Sequence, residues 1–353
     1  MPGLFSECIG HAAAVAFLQA TLAAGRSAHA YLFTGPPQIG KGTLARALAA
    51  AVLCSGNDCP SPSVLAPPGG VLAYGEAPGR PAVPCGACKD CLLVARETHP
   101  DVRMVAPDPG RKGITIEQVR QLEHAAGLRP YAGRRKVFVV EGVDAMAEAA
   151  ANALLKTLEE PPDDTVLVLT AGDASQVLPT IASRCQEVAL RPVPAPEIAA
   201  ALVRRGTSAA EADLLARLAG GRPGWAIAAA ADPQRRATRG HQVAALEGLL
   251  AQRRLSRLPE AASFGDAAAA KEVLDTWLSW WRDVLLVQQG CPELVANTDR
   301  IEALRRVGAT QPVETVWRVL TRIQATRELL DANANVRLAL EVLLLDLPEP
   351  RAT

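Results

Sequence analysis

The sequence predicts an α/β protein, a parallel sheet covered by helices on both faces and followed by a region of helix alone. Three observations carry this. Short apolar runs alternate with helix-forming stretches from about residue 30 to residue 191. From Pro196 the strand-like runs stop and amphipathic helical patterns continue to the end. One segment, Tyr31 to Ala45 (YLFTGPPQIGKGTLA), joins an apolar run to a helix former through a Gly-rich turn. Strands that alternate with helices imply crossover connections and a sheet buried on both faces.

That segment organises the rest. Tyr31, Leu32 and Phe33 form a strand that ends at Thr34, and TLARALAAAVL reads as a helix ending near Leu53-Cys54. Strand, glycine loop and helix is the layout of a phosphate-binding loop. Gly35 and Gly40 allow the loop's N–H groups to converge on an anion, and the helix N-terminus adds positive potential. Lys41 would reach the outer phosphates. The motif normally continues with Ser or Thr, whose hydroxyl meets Mg²⁺. Here Gly42 follows, and Thr43 comes one residue late, about 100° around the helix. The expectation is a loop shaped for ATP or ADP but poorly equipped to use it.

Length and charge bound the remainder. At 353 residues the chain has room for two or three domains. Its 37 basic and 37 acidic residues cancel, so no global field draws it to nucleic acid or anionic membrane. Arg134-Arg135-Lys136 and Arg253-Arg254 are local basic runs and read as solvated surface. No apolar run is long enough to span a bilayer. Glu7 and the lack of a basic leader argue against a signal peptide, so the cytoplasm is expected. There, eight cysteines do not imply disulfides.

In chain order, Ile9-Gly10-His11 leads into an amphipathic helix with Val15, Leu18 and Leu22 on its apolar side. His29, just before the first strand, reads as a packed histidine. Residues 55 to 84 are rich in Pro, Gly and Ser and read as a mobile surface insertion. The insertion closes at CGACKDC, where Cys85, Cys88 and Cys91 stand at metal-ligand spacing. Tetrahedral zinc needs a fourth thiolate, with Cys54 and Cys59 as candidates. The iron–sulfur spacing fails, because Leu92, Leu93 and Val94 follow Cys91. No general base accompanies the cysteines, so the site reads as structural.

Val102 to Val105 reads as a strand and Ile114 to His124 as a helix. VFVVE reads as a buried parallel strand carrying Glu141 at its C-terminal end. Such a carboxylate holds the metal in phosphate-loop enzymes. The residue that would orient water is Gly142, which has no side chain. Ala147 to Glu160 reads as a helix stopped by Pro161-Pro162. Thr165 to Thr170 reads as another buried strand, and LPTIASRC (Leu178 to Cys185) leads to a short one. Beyond Pro196 the long helices fall at Thr276 to Leu286, Val313 to Leu330 and Val336 to Leu347. Trp277, Trp280 and Trp281 read as helix–helix core.

Together these residues resemble the clamp-loader branch of the AAA+ family. HAYLFTGPPQIGKGTLA resembles its nucleotide loop, and KVFVVEGVDAM its Walker B segment. NALLKTLEEPP (Asn152 to Pro162) and LPTIASRC are specific to this branch. Cys54 with CGACKDC resembles its four-cysteine zinc module, which points to Cys54, Cys85, Cys88 and Cys91. DANANVRLALEVLLL is similar to its last collar helix. The resemblance implies a RecA-like AAA+ domain over 1–193 with its zinc module at about 54–91. It also implies a small helical lid over 194–236 and an all-α collar over 237–353. It assigns nucleotide contacts to Gly35, Gly40, Lys41, Gly42, Thr43 and Glu141, and a strand-end sensor position to Thr170. Arg184 of Ser-Arg-Cys would reach in trans to a neighbour's ATP. The partners implied are tau/gamma and delta subunits in a pentameric ring that places a sliding clamp on primed DNA. Gly42, Gly142 and Gly224, the last standing where hydrolysing subunits carry a sensor arginine, imply a subunit that does not hydrolyse. Two rivals are an ATP-hydrolysing loader motor and a zinc-dependent nucleic-acid-binding module.

Overall fold

A computed structural model describes residues 4–55, 83–108, 111, 113–132 and 135–349. Cys59, Arg134 and nearly all of the 55–84 insertion lie outside the described residues. The chain divides into two compact units, Met1–Glu197 with Gly221–Gly224, and Ile198–Gly220 with Trp225–Thr353.

The first unit starts with α1 (Ala12–Ala23), β1 (Ala30–Thr34) and α2 (Lys41–Leu53). After the insertion come α3 (Lys89–Ala95), β2 (Val102–Val105), α4 (Ile116–Gly127) and β3 (Lys136–Val140). Next are α5 (Glu148–Glu159), β4 (Thr165–Ala171), α6 (Pro179–Ala182) and β5 (Gln186–Ala189). The five strands are all parallel in the order β2-β3-β4-β1-β5, the parallel sheet the sequence predicts. β1 and β4 are buried along their whole length, as their unbroken apolar runs require.

Side-chain alternation divides the core between the two faces of the sheet. Tyr31, Phe33, Val137, Val139, Val166 and Val168 pack with Leu18, Leu44, Leu48 and Val52 of α1 and α2. Leu32, Phe138, Val140, Leu167 and Leu169 pack with Leu122, Leu154 and Ile181 of α4, α5 and α6. Local chemistry sets the helix ends. Thr115 and Gln118 form a reciprocal capping box at the start of α4, with Thr115 N donating to Gln118 Oε1 at 2.9 Å. α5 stops before Pro161-Pro162, where a helical turn cannot continue.

Two sequence expectations are corrected here. His29 is exposed, not packed, because it precedes the first sheet residue at the end of β1 away from the glycine loop. Lys136 is buried rather than solvated. Its ammonium donates to the Ala125, Ala126 and Leu128 carbonyls at the end of α4, which satisfies orphan acceptors and keeps it from any phosphate.

The second unit is helical among its described residues. α7 (Ala195–Arg204) bridges into it, followed by α8 (Ala209–Leu218), α9 (Pro223–Ala231) and α10 (Pro233–Leu250). A 3₁₀ stretch, Arg254–Phe264, leads to α11 (Ala267–Gln288), α12 (Ile301–Thr310), α13 (Val313–Asp331) and α14 (Val336–Asp346). Trp277, Trp280 and Trp281 are fully buried in its core, as their spacing predicts. Trp277 meets Phe264 edge-on at 5.4 Å and donates its indole N–H to the Gln242 carbonyl at 3.1 Å.

Candidate functional site

Parallel strands bring their C-terminal ends to one edge of the sheet. The loop after β1, Glu141 after β3 and Thr170 of β4 therefore converge, because β4 lies between β1 and β3. Gly35 has φ 140°, and a Cβ there would stand 2.5 Å from the Leu190 carbonyl, so the first turn of the loop admits glycine alone. Gly40 precedes α2 as its N-cap. His11 braces the loop from outside, with Nε2 3.0 Å from the Ile39 carbonyl. The Lys41 ammonium folds onto the loop's own Gly35 and Pro36 carbonyls, the latter at 3.0 Å. Burial holds this lysine below its ordinary range, against the opposing pull of Asp144 and Glu141.

The three glycines singled out in the sequence have distinct surroundings. A Cβ on Gly42 would lie 4.0 Å from Glu141 Oε1, in ordinary contact. Space for a hydroxyl exists there; only the chemistry is missing. Gly142 is left-handed at φ 69°, and its N–H donates to Thr170 Oγ1 at 3.3 Å. A glutamate at 142 would be strained on this backbone, and the Thr170 hydroxyl is tied to that same turn. Asp144 accepts the Gly172 N–H at 2.6 Å, which links the turn after β3 to the end of β4. Gly224 donates its N–H to the Gln38 carbonyl at 2.9 Å, and a Cβ there would stand 2.8 Å from that oxygen. Any larger residue at 224 must displace the loop. Neither Gln38 nor the brace from His11 was legible beforehand, since each contact joins residues far apart in sequence.

The second constellation is the cysteine set. Cys54 closes α2, while Cys85, Cys88 and Cys91 enter α3, a helix the sequence reading did not separate from the motif. Their four sulfurs lie within 4.8 Å of one another, with Cys54–Cys88 and Cys85–Cys91 both at 3.9 Å. A tetrahedral zinc with ~2.3 Å bonds needs sulfurs roughly 3.8 Å apart, so the cluster fits. The Ala87 and Cys88 N–H groups donate to Cys85 Sγ at 3.4 and 3.2 Å, and Cys91 N–H to Cys88 Sγ at 3.4 Å. Burial acts to raise the Cys88 thiol, but hydrogen bonds from Cys91, Ser55 and Cys85 outweigh it and bring it down to about 6. Burial pushes Cys91 up.

Arg184 follows α6 at the surface. Its Nη2 lies 2.7 Å from Glu159 Oε1 at the end of α5, and its Nη1 donates to the Thr180 carbonyl at 2.8 Å. Its side chain is 36% exposed.

The family model described as DNA polymerase III, delta subunit, matches residues 10–63 and 74–194, and the model of its C-terminal part matches residues 235–349. The chain is 42% identical over 177 residues to the DNA polymerase III subunit delta' of Pseudomonas aeruginosa, a match covering 50% of this chain and 46% of that protein. It is 32% identical over 203 residues to the gamma/tau subunit of Mycobacterium bovis, covering 58% of this chain and 31% of that protein. It therefore spans less than half the length of these two relatives. Against the delta' subunit of Bacillus subtilis it is 28% identical over 334 residues, 92% of each chain. With both delta-subunit models matched and a delta' relative aligned along nearly its full length, the chain belongs to the delta' family of bacterial DNA polymerase III.

Proposed function

We propose that this chain serves a clamp loader as its non-hydrolysing stator. It contributes Arg184 in trans to the ATP of a tau/gamma neighbour and joins tau/gamma and delta subunits in a pentameric ring. That ring places the sliding clamp on primed DNA in the cytoplasm. The RecA-like domain would span 1–193, the lid 194–236 and the collar 237–353, the collar helices holding the ring together.

The observation that carries this reading is the contrast between two sites. In the chain's own loop Gly35 and Gly40 make the turn, and the Lys41 ammonium rests on the Gly35 and Pro36 carbonyls. The site lacks a metal hydroxyl at Gly42, an orienting acid at Gly142 and a sensor cation at Gly224. Loss of an oriented general base alone costs about 10²–10⁴ in rate. Arg184, meanwhile, is at the surface, its side chain 36% exposed. A guanidinium placed where the γ-phosphate gathers negative charge stabilises the transition state without taking part in bonding changes. Any ATP or ADP taken up by the loop would meet Gly35, Gly40, Lys41, Gly42, Thr43 and Glu141 without being consumed.

The four thiolates of Cys54, Cys85, Cys88 and Cys91 would hold a structural zinc. Bound there, the ion supplies cross-linking of the end of α2 to the start of α3 and no reaction chemistry.

The test is ATP turnover by the reconstituted loader with wild-type chain and with Arg184→Ala, beside turnover by the chain alone. A silent lone chain together with a loader slowed tenfold or more by Arg184→Ala supports the stator. A lone chain that hydrolyses ATP, in a loader indifferent to Arg184→Ala, would establish the motor reading instead.

A further inference from the structure

The last turn of α5 places Glu159 against the end of α6, because Pro161-Pro162 stops α5 there and α6 packs beside it. The Arg184 guanidinium is held from two sides in consequence. Glu159 Oε1 sits 2.7 Å from Nη2, while the Thr180 carbonyl and Ser183 Oγ accept from Nη1 at 2.8 and 3.4 Å. The pair is open to water, with side chains 36% and 49% exposed, so it adds little to folding. Its effect is on direction. A free arginine side chain samples many rotamers and must lose them on meeting a phosphate; one held by a carboxylate has already lost them. The guanidinium has five N–H groups, so donors remain for phosphate oxygens.

We infer that Glu159 positions Arg184 for donation across the subunit boundary, an inference that rests on the trans role proposed above. The carboxylate touches neither substrate nor nucleotide; it acts through the guanidinium alone.

The experiment is DNA-stimulated ATP hydrolysis by the reconstituted loader carrying Glu159→Gln, Glu159→Asp, Arg184→Ala, or Glu159→Gln with Arg184→Ala. The expected result is a kcat lowered about three- to tenfold by Glu159→Gln, with KM for ATP within about twofold. Glu159→Asp, which keeps the carboxylate, recovers part of the rate. In the Arg184→Ala background Glu159→Gln changes nothing further, and the thermal midpoint of the chain stays put in all variants. Wild-type turnover with Glu159→Gln in a loader that Arg184→Ala does slow overturns the positioning role alone. So does an equal loss in both backgrounds. If Arg184→Ala itself leaves turnover unchanged, the trans reading fails and this inference with it.

Discussion

Gly42 and Gly142 look alike in the sequence, two glycines where functional side chains are expected, yet they differ in what replacing them does. At Gly42 the backbone is helical and a Cβ meets only Glu141 Oε1 at 4.0 Å. Gly42→Ser should fold normally and place a hydroxyl at the metal position. We expect Mg²⁺ to tighten binding of a fluorescent ATP analogue severalfold in this variant and to leave the parent chain nearly indifferent. No turnover should appear, because Gly142 still lacks an acid. At Gly142 the φ of 69° is the obstacle. Gly142→Ala should lower stability by about 1–2 kcal/mol, read as a drop in the midpoint of urea unfolding. If Gly142→Ala leaves that midpoint unchanged, the turn is not held left-handed in solution.

At the scale of elements, buried charges fix helix ends and connections that apolar packing cannot specify. Arg257 is fully buried, and its fork donates to the carbonyls of Gln252, Leu344, Leu347 and Pro348, closing the end of α14. Burial lowers its pKa without discharging it. Arg257→Ala orphans four carbonyls and should cost about 3–5 kcal/mol, with Arg257→Lys recovering only part because a single ammonium cannot match the fork. Denaturant melts of the two variants decide this. Asp283 is the acidic counterpart. Its Oδ2 accepts from Ala296 N–H, Asn297 N–H and Asn297 Nδ2, while burial pushes its pKa up. A carboxyl whose folded pKa is raised gives stability that is greatest below its unfolded pKa and falls as pH climbs through the folded pKa. Asp283→Asn should flatten that decline, whereas Asp283→Ala should destabilise at every pH by orphaning three donors. Thermal midpoints across the acidic range would separate the two.

For the whole molecule, the two compact units have separate hydrophobic cores. All five tryptophans, Trp225, Trp277, Trp280, Trp281 and Trp317, belong to the second unit, and the four-cysteine cluster belongs to the first. With zinc held there as proposed, a chelator, or replacing Cys88 with Ser, should lower the unfolding midpoint seen by far-UV circular dichroism. The tryptophan-fluorescence midpoint should stay where it was. Elemental analysis of the purified chain should find about one zinc, lost in the Cys88→Ser variant. A tryptophan midpoint that falls in step with metal removal would show that the cysteines stabilise more than their own unit. No helix of the described residues is long and apolar enough to cross a membrane.

The sequence by itself determined the strands, the major helices, the glycine loop and the cysteine set. Each of these is a local pattern: alternation or unbroken apolar runs for β1 and β4, Gly and Pro at turns, and x₂ spacing between thiols. The tertiary structure decided what joins them. Cys54, to which the family resemblance pointed, joins the other three cysteines because α2 ends beside α3, across an insertion that spacing cannot measure. Lys136 turned inward because the end of α4 left carbonyls unpaired beside it, and His29 outward because the sheet begins one residue later. Gly224 lies on Gln38, and Glu159 on Arg184, through contacts between residues 186 and 25 positions apart. Periodicity reports which face of an element is buried; which partner that element meets is set by packing of the whole chain, and no local pattern contains it.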